Sequence, residues 1–125
     1  IAGLLAGIRY IQSIGVNTIA EHEKELARRL VDGLKKLDGV RFYCDPGEPK
    51  TGVISFTLDF IDVSLTGTML DQAFNIGVRT GLHCAPAAHK TIGTFPAGTV
   101  RVSFGYYNRS DHVDRLICSL YALAK

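Results

Sequence analysis

The 125-residue sequence has no tryptophan, one methionine and three cysteines, and no two cysteines form a Cys-x-x-Cys pair. An odd, small number of cysteines without that spacing argues against a disulfide framework and against a structural zinc site. No apolar run approaches the roughly 18 residues that a membrane-spanning helix needs. The 14 basic and 12 acidic residues are mixed along the chain, without a basic stripe for nucleic acid. We therefore expect a cytoplasmic protein that binds neither nucleic acid nor membrane.

The apolar content of the sequence is sufficient for one core. Hydrophobic residues make up 46% of the chain, and a length of 125 residues lies in the range of roughly 100 to 200 that one domain usually occupies. We expect residues 1–125 to form a single domain. The sequence opens on Ile1 in an apolar run, with neither a Met nor a signal-peptide pattern, so we expect it to begin inside a longer protein.

Helical periodicity dominates the first third of the sequence. One apolar stripe ends near Gly15 and consists of Ile1, Leu4, Leu5, Ile8 and Ile11. A second helix is predicted to begin at the capping-box spacing of Thr18 and Glu21 and to end at Gly39. The apolar stripe of the first helix requires a packing partner.

The period of the sequence changes after Gly39. Segments 40–43 and 53–58 are short and rich in β-branched and aromatic residues, and the turn-rich string DPGEPKTG separates them, so we predict two strands. A helix is predicted to start between 62 and 64, followed by a short strand at 77–80.

Alternation near the C-terminus predicts a further strand and the last helix. Val100, Val102 and Phe104 alternate with Arg101 and Ser103, which directs Arg101 away from the local core. The last helix is amphipathic and is predicted to be capped by Asn108 or Ser110. The order of elements predicts an α+β fold, with a small, mainly antiparallel sheet and helices packed on one face.

Residues 81–99 are predicted to be mostly loop, because they hold three glycines and two prolines and no sustained period. Cys84 lies in this loop, directly after His83 and five residues after Arg79. Cationic neighbours favour the thiolate form of a cysteine, and the thiolate is the nucleophile. Cys84 is therefore the candidate nucleophile of the sequence.

The other cysteines and two other kinds of site are weaker candidates. We interpret Cys44, at a strand end, and Cys118, beside the apolar stripe of a helix, as structural. A cysteine-protease site would need a partner His and Asn or Asp that the sequence does not single out. A metal site would have to join Cys84 with His83, His89 and His112, whose spacing matches no zinc motif.

Several strings together carry a family resemblance. VRTGLHCAP at 78–86, VRVSFGYYN at 100–108 and DHVDRL at 111–116 resemble the C-terminal region of group II cysteine desulfurases, the NifS- and SufS-like class V aminotransferases. AGLLAGIRYI at 2–11 and NTIAEHEKELARRL at 17–30 extend the likeness over essentially the whole chain. The resemblance implies the C-terminal small domain of a fold type I enzyme that uses pyridoxal 5′-phosphate (PLP).

The resemblance also implies roles for four residues. Cys84 matches the cysteine that takes sulfur from PLP-bound cysteine as a persulfide, leaving alanine. Arg101 matches the arginine that holds the substrate carboxylate, for which a planar guanidinium is suited. Arg79 and His83 match active-site residues that either contact substrate or orient the loop.

The cofactor is expected outside these residues. Lys90, in the string AHKTIG at 88–93, superficially resembles the family's Schiff-base lysine, which lies upstream in the large domain, so we give Lys90 no cofactor role. We therefore expect residues 1–125 alone to bind no PLP and to be inactive.

For the full-length parent, the resemblance implies a dimeric desulfurase that acts on L-cysteine and passes sulfur to an acceptor protein. A selenocysteine lyase or another class V aminotransferase on the same scaffold remains an alternative. A non-catalytic module that docks a sulfur-acceptor protein is a third.

Overall fold

The computed structural model of the chain describes residues 1–45 and 47–125. Pro46, in the predicted turn segment DPGEPKTG, lies outside the described residues. The described part forms five helices and four strands. In chain order they are α1 (Ala2–Ile14), α2 (Val16–Leu34), β1 (Val40–Phe42), β2 (Val53–Leu58), α3 (Val63–Phe74), β3 (Arg79–Gly81), α4 (Pro86–Thr91), β4 (Thr99–Ser103) and α5 (Ser110–Leu123).

The four strands form one antiparallel sheet in the order β1-β2-β4-β3. β2 and β4 are interior strands, and in their register Ile54 lies opposite Val102 while Ser55 lies opposite Arg101. β3 pairs with the other edge of β4, so that Arg79 also lies opposite Arg101. The predicted α+β fold with a small antiparallel sheet is confirmed.

The hydrophobic core lies between one face of the sheet and the helices. Ile54, Phe56 and Val100, which occupy alternate positions of the interior strands, have no exposed surface. From α2, α3 and α5 they are joined by the buried residues Leu30, Val31, Leu34, Leu70, Val113 and Leu120. Ser55 and Arg101 fall between the buried positions and face the other side of the sheet. The prediction that Arg101 points away from the core is therefore confirmed.

The first helix lies against the rest of the fold without burying any residue of its own. It ends before Gly15, as predicted, where a φ of 96° suits a residue without a side chain. Its predicted apolar stripe is exposed, with Leu4 at 70% and Ile8 at 44%. Near its end, the ring of Tyr10 stacks on that of Tyr107, with ring centroids 6.2 Å apart. α1 thus presents an uncovered apolar face.

Both predicted ends of the second helix are wrong. α2 begins at Val16, so Thr18 lies inside its first turn, and no side chain caps the helix start. The helix ends at Leu34 rather than at Gly39. Beyond it the Leu37 amide donates to the Leu34 carbonyl at 3.0 Å, which tightens the chain into a turn before the glycine is reached.

The predicted caps of the last helix are also wrong. α5 begins at Ser110 with Arg109 at the cap position. The side chain of Asn108 instead accepts a hydrogen bond from the Gly105 amide at 2.8 Å and closes the turn that follows β4. Because its side chain makes this local hydrogen bond, Asn108 does not cap the helix.

The helix and strand predicted before the loop lie close to their expected positions. α3 is capped by Asp62, whose carboxylate accepts hydrogen bonds from the amides of Ser64 and Leu65 at 2.7 and 3.2 Å. The strand expected at 77–80 is β3, shifted toward the loop by its pairing with β4. In the part of the chain that the structure describes, no helix combines the length and the apolar content needed to cross a membrane.

Candidate active site

The segment that joins β3 to β4 is more ordered than the predicted loop at 81–99. It contains the six-residue helix α4, which was not predicted, while residues 82–85 and 92–98 lie outside helices and strands, as expected of a segment that is mostly loop. Pro86 occupies the first position of this helix, where its fixed φ fits and its missing N–H is not needed. Six residues are too few to show an apolar period, and for this reason the sequence pattern did not reveal the helix.

Cys84 occupies a tight turn between β3 and α4. The Ala85 amide donates to the Leu82 carbonyl at 2.8 Å, and φ is 52° at His83 and 61° at Cys84. Positive φ at both central positions characterises a type I′ turn, which usually contains glycine, asparagine or aspartate there. Because each non-glycine residue in this region costs about 1 to 2 kcal/mol, contacts outside the turn must hold it. Cys84 is exposed, as expected.

The side chain of His83 provides such contacts on both sides of the turn. Its Nε2 lies 3.2 Å from Oγ1 of Thr99, the buried first residue of β4. Its ring centroid lies 5.6 Å from that of His89, which is buried in α4 and has its own Nδ1 2.6 Å from Oγ1 of Thr94. Nδ1 of His83 is buried and has no hydrogen-bond partner among the described residues.

The surroundings of His83 favour its neutral form. Burial lowers the pKa of this imidazole, and the positive charge of Arg101 lowers it further, with smaller effects from His89 and Arg79. When the pKa of a histidine is lower in the folded state than in the unfolded state, protonation of that histidine lowers the stability of the fold. Protonation as the pH falls below about 6.5 therefore opposes the folded arrangement of the loop.

Arg79 and Arg101 lie side by side on the polar face of the sheet, and neither has an acidic partner among the described residues. Arg101 is half-buried, and its Nε is buried with no hydrogen-bond partner in the described part of the chain. Arg79 is exposed and lies directly across from it, a placement of like charges that is unfavourable. The four strands contain no Asp or Glu. An unpaired buried donor costs about 1 to 3 kcal/mol, so an anionic ligand would stabilise this site.

The base of the loop is closed by two glycines whose backbones are in direct contact. Both have positive φ, 97° at Gly81 and 80° at Gly98. A Cβ atom built on Gly98 would overlap the carbonyl group of Gly81. The Gly98 amide also donates to the Thr94 carbonyl at 2.7 Å. The close approach of β3 to β4 at this end of the sheet therefore requires a residue without a side chain.

We expect Gly98→Ala to lower the free energy of unfolding of the chain by about 3 kcal/mol or more. The cost of a side chain at positive φ adds to the cost of the overlap between the new Cβ and the backbone of Gly81. Gly93→Ala is the matched control, since Gly93 has a φ of 75° and nothing within 4 Å of an added Cβ. That control should lose about 1 to 2 kcal/mol. Urea unfolding of both variants measures the difference. Equal losses would show that the contact with Gly81 does not limit this position.

The two remaining cysteines differ from one another. Cys44 is half-buried and packs against the core, and its burial raises the pKa of the thiol, in keeping with a structural role. Cys118 is exposed, which does not fit its interpretation as a structural, buried cysteine. It lies two positions after the buried Leu116, which at about 100° per residue places it on the opposite side of α5.

The histidines considered for a metal site have other partners. His89 is bonded to Thr94, and His112 lies in the first turn of α5, where its Nδ1 accepts a hydrogen bond from the Arg109 amide at 3.4 Å. Among residues 1–45 and 47–125, no group of three or more His, Cys, Asp or Glu side chains is arranged to hold a metal ion.

With this geometry established, comparison with known proteins identifies the family. The sequence profile of aminotransferase class-V matches residues 1–116. The chain belongs to the aminotransferase class-V family. Probable cysteine desulfurase 2 of Mycobacterium leprae is 36% identical to this class-V chain over 121 residues, which is 96% of the chain and 28% of the relative.

Solved structures of cysteine desulfurases are similar to this class-V chain as well. The apo enzyme from Thermococcus onnurineus NA1 matches it with a TM-score of 0.88 at 35% identity, over 98% of this chain and 30% of that one. CsdA from Escherichia coli, in an S-sulfonic acid form, matches with a TM-score of 0.86 at 26% identity, over 96% and 29%. The predicted resemblance is confirmed, and the chain spans less than a third of these relatives.

The described residues of the class-V chain offer a guanidinium that suits an anion, but Lys90 is not arranged as a cofactor-binding lysine. The unpaired Nε of Arg101 is suited to a carboxylate. Lys90, the lysine nearest Cys84 in sequence, is exposed on α4 with its Nζ 5.1 Å from the ring centroid of Phe95. Lys90 is therefore given no role in cofactor binding.

Sequence reasoning did not foresee that Thr99, His89 and Gly98 support this site, and it had considered His89 only as a metal ligand. Thr99 and His89 act through contacts with His83, and the Thr99 contact joins residues 16 positions apart. The one available signal for Gly98 was its position two residues before the alternating segment that starts at Val100. A periodicity argument does not detect such contacts.

Proposed function

We propose that this class-V chain is the C-terminal small domain of a PLP-dependent cysteine desulfurase, and that residues 1–125 are a single domain of that longer enzyme. The similarity to cysteine desulfurases supports the proposal. The observation that carries it is the combination, on one β3–β4 unit, of an exposed Cys84 and a buried, unpaired guanidinium nitrogen of Arg101.

In the proposed reaction, this chain supplies the arginine that binds the substrate carboxylate and the cysteine that acts as nucleophile. Arg101 binds the carboxylate of L-cysteine with two parallel hydrogen bonds and so directs the substrate sulfur toward the turn. The Cys84 thiolate attacks that sulfur, so that a sulfur–sulfur bond forms and the carbon–sulfur bond breaks. The electron pair of the broken bond stays with the three-carbon fragment, which takes up a proton and leaves as alanine, while Cys84 becomes a persulfide.

The rest of the parent enzyme has to provide what this chain does not. PLP, held by a lysine outside residues 1–125, would supply the electron sink for the carbon–sulfur bond. Arg79 adds positive charge beside Arg101 and assists substrate binding. We further propose that the parent is a homodimer that hands its sulfur to an acceptor protein. A cytoplasmic location agrees with three free cysteines among the described residues.

Substrate comparison in the full-length parent tests this function. L-cysteine should give alanine and reductant-released sulfide in equal amounts, whereas residues 1–125 alone should give neither. Alanine formation from selenocysteine with none from cysteine would indicate a selenocysteine lyase instead. Amino-group transfer to a 2-oxo acid without release of sulfide would indicate an aminotransferase.

A further inference from the structure

The turn that presents Cys84 is held by a side chain rather than by its own sequence. Two successive residues with positive φ, neither of them glycine or asparagine, form its centre. Its one internal backbone hydrogen bond joins Ala85 to Leu82. A turn of this kind needs support from its neighbours if it is to keep a single conformation.

His83 is the residue of the turn that reaches those neighbours. Cys84 is exposed, whereas the imidazole of His83 reaches Thr99 and His89. Thr99 and His89 are 1% and 5% exposed, so both are fixed by the fold. One side chain thus connects the turn to the first residue of β4 and to α4.

We propose that His83 is a positioning residue: its Nε2 bond to Thr99 and its packing on His89 hold the turn in the conformation that presents Cys84. This inference deepens the proposed function and rests on it for the role of Cys84. His83 itself neither accepts sulfur nor binds the substrate carboxylate. The buried Nδ1, unpaired among the described residues, shows that the ring is held by one hydrogen bond and by packing.

The test uses the full-length parent with His83→Ala, His83→Gln and the control His112→Ala. Gln places an amide nitrogen close to the position of Nε2 and can keep the bond to Thr99, whereas Ala cannot. His112 is an exposed histidine outside the loop. We expect His83→Ala to lower kcat by about tenfold or more while the KM for cysteine stays within about twofold, because misplacement of the nucleophile affects the reacting step.

The Gln variant should recover most of kcat, and His112→Ala should match the unmodified enzyme. Thr99→Val removes the same hydrogen bond from the other side and should reproduce the loss of kcat, which covers the case in which His83→Ala does not fold. A rise in KM with kcat retained would overturn the proposal, because it would make His83 a substrate ligand. Equal impairment by Gln and Ala would also overturn it.

Hydrogen exchange separates this inference from the proposed function. Exchange at residues 82–85 should accelerate by about tenfold in His83→Ala, as the Ala85 amide loses protection, but not in His83→Gln or His112→Ala. This readout does not require turnover. If the parent forms no alanine from cysteine, the proposed function fails, while faster exchange still supports the positioning role. Unchanged exchange in His83→Ala refutes the positioning role.

Discussion

The Cys84→Ser form of the full-length parent is expected to release sulfide from L-cysteine at least about a thousandfold more slowly than the unmodified enzyme. A serine hydroxyl is almost entirely protonated near neutral pH and is a poor nucleophile toward sulfur, whereas a thiol is partly ionised and highly nucleophilic. The KM for cysteine should change little, because the proposed contact between Arg101 and the carboxylate is unchanged. Mass spectrometry should show that the peptide containing residue 84 no longer gains a sulfur atom.

Cys118→Ser is the matched control for this substitution. Cys118 is also exposed, but it lies on α5, away from the turn, and has no part in the proposed chemistry. The control should retain full turnover and should still form the persulfide at Cys84. Undiminished sulfide release by Cys84→Ser would remove Cys84 from the role of nucleophile.

Arg101→Lys is expected to lower kcat/KM for L-cysteine by about a hundredfold in the full-length parent, chiefly through a higher KM. An ammonium group keeps the charge but cannot make two parallel hydrogen bonds to a carboxylate. The interior position of Arg101 between β2 and β3 leaves little freedom for a lysine to compensate. The variant therefore tests the hydrogen-bond geometry of position 101 while its positive charge is kept.

Cysteamine, which is cysteine without the carboxylate, gives this prediction a direct control. Inhibition of the parent by cysteamine should be the same with arginine or lysine at position 101, while binding of cysteine weakens. Arg41→Lys controls for the substitution itself, because Arg41 is an exposed arginine of the edge strand β1. Weakened binding of both compounds by Arg101→Lys would contradict a role in holding the carboxylate.

The parts of the fold that follow from local periodicity were predictable. The alternation of Val100, Arg101 and Val102 correctly gave the direction of the arginine, because a strand has a period of two whatever surrounds it. The segment at 53–58 is a strand over its full predicted length. α4 was not predicted because six residues are too few to show a helical repeat of apolar residues. The predicted cap at Thr18 was wrong because α2 begins before it, at Val16.

The sequence supplied candidate residues for the site but not the way in which the site is built. The neighbours of Cys84 and the family resemblance singled out Cys84, the resemblance singled out Arg101, and the catalytic roles of both remain predictions. The type I′ turn, the bond from His83 to Thr99 and the contact between Gly81 and Gly98 all depend on how distant segments meet. Such contacts follow from the packing of β3 against β4 and leave no repeating signal in the sequence.

The strand order places the two halves of the proposed site at different depths of the sheet. Arg101 belongs to β4, which is hydrogen-bonded on both sides, so the proposed carboxylate-binding residue lies at the centre of the sheet. The turn with Cys84 continues from β3, which is bonded on one side only and forms the rim. In the proposed reaction, the substrate carboxylate would be held at the centre of the sheet, while the turn that His83 fixes would present Cys84 at the border of the sheet, where an acceptor protein can approach from the side.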